Sequence, residues 1–127
     1  MSDEQELLQL SQRLIDCIAD RDWETYEELC APELTAFEPE ALGHRVEGLA
    51  FHRYYFDLGA SPGAKNGTMI APRVQMLGDD AAVVTYVRLI QRQTDAGAVS
   101  TASEETRVWQ RLDGRWWHVH FHRSVNG

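Results

Sequence analysis

The chain reads as an α+β protein, with helices first and an antiparallel β-meander after them. Three observations predict this class. In the N-terminal part apolar residues recur at spacings of three and four, the mark of helices with one buried face. Gly59 through Gly67, rich in Gly, Ser, Pro and Asn, ends that regime. Beyond it the period becomes 2 and short turn sequences punctuate the chain. Helices segregated onto one face of such a sheet make an α+β fold.

The elements follow in order. Leu7, Leu10, Leu14, Ile15 and Ile18 place a helix over residues 3–20, with Ser2 or Asp3 as its N-cap. Asp22-Trp23-Glu24-Thr25 opens a second, shorter helix that runs through Leu29 and Cys30. Ala31-Pro32 closes it, because the residue before a proline is pushed out of the helical region. Leu34–Phe37 is a short strand, and the aromatic-rich residues 49–58 are a third helix. Thr68–Leu77, Ala81–Thr94, Ser100–Leu112 and Arg115–Ser124 are four strands. Their turns are Gly78-Asp79-Asp80, Asp95-Ala96-Gly97 and the two-residue hairpin signal Asp113-Gly114. No internal repeat or linker interrupts the 127 residues, so residues 1–127 read as a single domain.

Composition narrows the function. A hydrophobic content of 43% with 25% charged residues is that of an ordinary globular domain. The net charge of -8, with no basic stripe, argues against a nucleic-acid partner. No apolar run approaches the roughly 18 residues of a membrane span, and no leader or lipidation motif is visible. Cys17 and Cys30 lack a CxxC spacing and read as reduced core residues, which makes the cytoplasm the expected location.

Three arginines stand on strands: Arg88 in VVTYVRLIQ, Arg107 in SEETRVWQ and Arg123 at the end of WWHVHFHRS. A guanidinium is costly to bury unless it meets an anion, and its planar fork suits carboxylate or phosphate. Parity puts Arg88 with Tyr86 and Val84, Arg107 with Glu105 and Trp109, and Arg123 with Phe121, Val119 and Trp117. If the strands are neighbours, the arginines converge on an anion-binding pocket. The competing reading is that each ends a strand and reaches back to water. Glu105 shares a side with Arg107 and is a candidate neutralising partner, while Tyr86 offers a hydroxyl at the end of an apolar ring.

Two other constellations carry possible chemistry. His118, His120 and His122 alternate, so a regular strand would put all three on one face, opposite Arg123. Such a row could ligate zinc or iron. The three rings are expected on the outer sheet face, packed against a partner subunit, and no metal is expected. Glu38 and Glu40 flank Pro39 and read as structural carboxylates of a turn rather than a catalytic pair.

Long stretches then carry a resemblance. FEPEALG, FHRYYF, SEETRVW and VHFHRS, in a similarity running from about Glu4 to Ser124, resemble the association (hub) domain of calcium/calmodulin-dependent protein kinase II. The resemblance implies the cone-shaped α+β fold of the nuclear transport factor 2-like (cystatin-like, SnoaL-like) superfamily, with a curved, mainly antiparallel sheet. It implies a pocket lined by Arg88, Arg107 and Arg123 with His52, open to small carboxylates, and subunits assembled as dimers and rings of about twelve or fourteen. With no Gly-rich loop, HRD or DFG motif and no calmodulin-binding segment, the chain reads as a free-standing hub domain, or an excised or engineered one. One departure stands out: hub relatives carry a tryptophan near the pocket just after FHRFYF, where DLGASPGA with Gly59-Ala60 follows here.

The ligand-binding candidates are therefore His52, Tyr86, Arg88, Glu105, Arg107 and Arg123, with no cofactor. Superfamily enzymes of the isomerase, cyclase and dehydratase types use a carboxylate base whose pKa must rise. Arginines push it down instead. The expected function is thus an oligomeric scaffold holding a small carboxylate or other anion. The alternative is a SnoaL-like enzyme acting on a small anionic metabolite. The aromatic Trp116–His122 stretch is where dimer contact is expected.

Overall fold

In a computed structural model, which describes residues 1–59 and 65–125, helices pack against one face of a six-stranded sheet. The elements are α1 (Asp3–Asp20), α2 (Trp23–Leu29), β1 (Cys30–Phe37), a 3-10 turn (Pro39–Ala41), β2 (Val46–Glu47), α3 (Ala50–Asp57), β3 (Lys65–Met76), β4 (Ala81–Thr94), β5 (Gly97–Leu112) and β6 (Arg115–Val125). The strand order is β2-β1-β6-β5-β4-β3. All pairings are antiparallel except β1 with β6, which is parallel.

Local chemistry explains the helix ends. The Ser2 hydroxyl accepts from the Gln5 amide at 3.2 Å, and the Gln5 side chain accepts from the Ser2 amide at 3.0 Å, a reciprocal capping box. Asp22 caps α2 by accepting from the Thr25 amide. At the other end of α1, Arg21 turns left-handed with φ of 57° while its amide satisfies the last carbonyls of the helix.

The core lies between α1, α2 and the inner sheet face. Leu7, Leu14 and Ile15 of α1 meet Tyr26 and Leu29 of α2, Val84 of β4, Trp109 of β5 and Trp116 of β6. Each fully buried Leu stabilises by about 1.5–3 kcal/mol relative to exposure. The Trp109 indole donates to the buried Ser11 hydroxyl at 3.2 Å, so neither polar atom is stranded. A second cluster, Ala36, Ala41, Val46 and Phe121 with Phe51, fills the other end of the sheet. Among the described residues, no helix is long and apolar enough to cross a membrane.

Three local expectations need correction. β1 begins at Cys30 rather than Leu34, and Pro32 sits inside it. The pairing with β6 is irregular between Cys30 and Thr35, which is where a strand tolerates a residue without an N–H. β3 begins at Lys65 rather than Thr68, so Gly67 is a packing glycine and not a turn residue. A Cβ there would lie 2.9 Å from Ile15 Cγ2, and Gln12 Nε2 donates to the Gly67 carbonyl at 3.2 Å.

The third correction concerns β6. Its register with β5 slips between Val108 and Trp109, which face His120 and His118, leaving Val119 as an extra residue. Parity therefore reverses along the strand. Trp116, His118, Phe121 and Arg123 belong to the inner side, whereas Trp117, His120 and His122 belong to the outer one. The three histidines do not share a face. The Trp116–His122 stretch expected to make the dimer contact lies inside the sheet, between β1 and β5, and its Trp116 is core.

Candidate functional site

The inner face of the sheet and the helices enclose a cleft of about 460 Å³. His52, Arg88, Arg107 and Arg123 line it, together with Tyr26, Glu38, Glu40, Phe56 and Phe121. Tyr86 and Glu105 are not on its surface. They sit behind the arginines, one layer deeper.

Adjacent strands build the floor. β4 and β5 align in continuous register, with Tyr86 opposite Glu105 and Arg88 opposite Ser103. Glu105 is fully buried and serves several donors. Its Oε1 accepts from the Tyr86 hydroxyl at 2.7 Å, and its Oε2 accepts from Ser103 Oγ at 3.3 Å. Arg88 Nε lies 3.0 Å from Oε2 but is not directed along a hydrogen bond, so that contact is one of charge. Arg107 Nη2 is 3.6 Å from Oε1, again an ion pair without a hydrogen bond.

Arg107 is the most enclosed cation, only 1% exposed. Its Nε donates to the Tyr86 hydroxyl at 2.7 Å and its guanidinium stacks over Phe121, 4.3 Å from the ring centre. Burial alone would lower the Arg107 pKa, but Tyr86 and Glu105 outweigh it and the guanidinium stays charged. Burial pulls Arg88 down, against the opposing charge of Glu105. Burial also pushes the Tyr86 hydroxyl up to about 12, so it is a neutral donor at physiological pH. Arg123 pairs with Glu40. Burial would raise the Glu40 carboxyl, but the Arg123 hydrogen bond overrules it and the pKa is lowered.

The far wall is a second relay. His52 Nε2 lies 2.6 Å from Glu38 Oε1, and His52 Nδ1 lies 2.7 Å from the Tyr26 hydroxyl. A carboxylate only accepts, so Nε2 carries the proton and Nδ1 accepts from Tyr26. His118 sits beneath. Arg107 has no acceptor, so its Nη1 must donate to His118 Nε2 across 3.3 Å, leaving Nδ1–H facing Cys30 Sγ at 3.4 Å. Burial pushes both the Cys30 and Cys17 thiols up to about 12, and both cysteines are free.

Burial, reinforced by the Arg107 charge, holds His118 neutral well below the usual imidazole range. The unfolded chain takes up this proton near pH 6.5 and the folded chain does not, so stability must fall as pH drops below about 6.5. The slope from this one residue approaches about 1.4 kcal/mol per pH unit. His120, also lowered by burial, adds in the same direction. Glu40 acts separately, its contribution being lost only as pH falls from its ordinary value of 4.5 through its lower folded one. Thermal melts between pH 7 and 5 should flatten in His118→Gln; an unchanged pH slope in that variant would contradict this assignment.

The bulge bears on metal binding as well. His118 faces Arg107, His120 Nδ1 meets Thr35 Oγ1 at 2.8 Å, and His122 is exposed. The row proposed from alternation is therefore split between two faces. Among the described residues, no three His, Cys, Asp or Glu side chains gather as a metal set. Ala60, part of the departure after FHRYYF, lies outside the described residues.

Several cleft residues escaped sequence reasoning: Arg21, Tyr26, Lys65 and Arg92. Arg92 was within reach, since it shares Arg88's parity two pleats along β4. Tyr26, Arg21 and Lys65 come from elements whose relative placement no local pattern gives.

A curved sheet with helices on one face and a cleft between them is the plan of a nuclear transport factor 2-like protein. An NTF2-like protein from Cytophaga hutchinsonii shares the fold with a TM-score of 0.79 at 19% identity, over 99% of this chain and all of that one. Far closer is the calcium/calmodulin-dependent kinase II hub homology domain of Chlamydomonas reinhardtii, at TM-score 0.93 and 46% identity, covering 99% of this chain and 100% of that one. The profile of the calcium/calmodulin dependent protein kinase II association domain matches residues 3–127, and the chain belongs to that family. The delta subunit of the rabbit (Oryctolagus cuniculus) kinase is 48% identical over 123 residues, covering 94% of this chain but only 23% of that protein. What matches is the association domain, with no kinase domain among these residues.

Proposed function

We propose that this chain is a cytoplasmic, self-assembling hub, each subunit of which holds a small anion, most simply a carboxylate, in its cleft. Assembly rests on the outer sheet face. Val83, Thr85 and Val87 of β4 stand beside Val108 and Thr106 of β5, and the exposed Phe37 meets the outward rings of His120 and His122. The helices lie on the opposite side. An uncovered apolar band of this kind invites a second copy, and dimers closing into rings of about twelve or fourteen would follow the family's plan.

The anion reading is carried by Arg107. Its guanidinium is almost sealed from solvent, lines the cleft, and keeps Nη2 without a hydrogen-bond partner. Arg88 and Arg107 share the single carboxylate of Glu105, so an incoming anion meets positive charge that is already in place. The enzyme reading is weaker because the carboxylates in and behind the cleft are committed: Glu38 to His52 and Glu40 to Arg123 on its surface, and Glu105 to its donors one layer deeper. None is left to abstract a proton.

Butanoate should raise the melting temperature in proportion to the logarithm of its concentration. Arg123→Gln, a half-buried change at the cleft wall, should weaken that binding about tenfold, corresponding to roughly 1.4 kcal/mol. A melting temperature indifferent to millimolar butanoate, with no heat in calorimetry, would overturn the anion assignment.

A further inference from the structure

The cleft holds a second set of cations that the floor does not use. β4 carries Arg88 and Arg92 on one face, four residues and roughly 13 Å apart along the strand. In β3, Lys65 stands directly opposite Arg92 in the antiparallel register. Two like charges directly opposed across strands repel, and that arrangement is destabilising unless something negative lies between or above them. Arg21, at the end of α1, lines the same part of the cleft, and its Nε is shut off from solvent without a hydrogen-bond partner. Among the described residues, no carboxylate lies within ion-pair distance of Arg21, Lys65 or Arg92. The strain registers on Lys65, whose ammonium is drawn below its ordinary pKa by burial and by the charges of Arg21 and Arg92, with only Asp20 opposing.

The inner cations differ in kind. Arg88 and Arg107 have Glu105, and Arg123 has Glu40. The outer three have nothing comparable, yet they open onto the same cleft as the inner three, with Thr101 and Asn66 also lining it. A ligand with one charged end would satisfy the floor and leave this trio uncompensated.

We infer that the ligand is an elongated dianion, one acidic group held at the floor by Arg88, Arg107 and Arg123 and the other at the mouth by Arg21, Lys65 and Arg92. This rests on the anion reading of the cleft and adds the ligand's length and second charge. The spacing sets the class: an α,ω-dicarboxylate or similarly extended diacid of several bonds, too long for succinate to span.

The test is calorimetry at neutral pH with matched probes, octanedioate against octanoate and succinate against butanoate. Octanedioate should bind roughly tenfold more tightly than octanoate, because its second carboxylate finds unpaired cations. Succinate should gain little over butanoate. Arg92→Gln, at an exposed position, should pull the octanedioate to octanoate ratio toward one. If octanoate and octanedioate bind equally well to the unmodified protein, the mouth does not read a second charge and the inference falls, while the anion cleft stands. If no carboxylate binds, the cleft reading fails and takes this inference with it.

Discussion

Replacing Glu105 with alanine is expected to destabilise the fold by about 3–5 kcal/mol, the usual cost of removing one partner from a buried charge network. The carboxylate is fully buried and, among the described residues, is the only acidic side chain paired with Arg88 and Arg107. Its loss leaves two guanidiniums facing each other and deprives the Tyr86 and Ser103 hydroxyls of their acceptor. The group lost is CH2–COO⁻, so the hole is the size of an acetate ion. Excess acetate should therefore raise the melting temperature of Glu105→Ala more than that of the unmodified protein. Chemical denaturation measures the cost. A loss under about 1 kcal/mol, with no acetate rescue, would mean that the arginines are neutralised by something other than Glu105.

Val83→Glu should dissolve the assembly while leaving the subunit folded. Val83 lies on the outer face, opposite Gln75 of β3 and Val108 of β5, and no core residue depends on it. In a two-fold interface each copy would contribute the new charge, so two carboxylates would be buried against an apolar surface. An unpaired buried charge costs several kcal/mol, enough to exceed what a moderate interface gains. Sedimentation should show a fall to the single subunit with the far-ultraviolet spectrum retained. An unchanged particle would place the interface on another surface.

Strand parity made much of this site legible from sequence. Arg88 and Arg107 could be placed with Tyr86 and Glu105 because β4 and β5 run in unbroken register, where alternation is reliable. Arg123 was placed beside Phe121 for the same reason, both lying on one side of the β6 bulge. The error lay beyond it. Val119 is an ordinary valine, and nothing in WWHVHFH marks it as the extra residue, so Trp117 was put inward and His118 outward. Gly67 misled differently. Among Gly, Ser, Pro and Asn it reads as a turn, but its small size serves the approach of Ile15, a fact held by helix packing rather than local pattern. The Tyr26–His52–Glu38 relay joins α2, α3 and the turn after β1, and only tertiary structure brings such partners together.

Self-association through the open sheet face is the central claim, and native mass spectrometry of the freshly purified protein tests it most directly. The expected result is a closed multiple of the 14.5 kDa subunit, built from dimers and reaching a ring of about twelve or fourteen copies. A spectrum containing only the 14.5 kDa species across micromolar concentrations would contradict it.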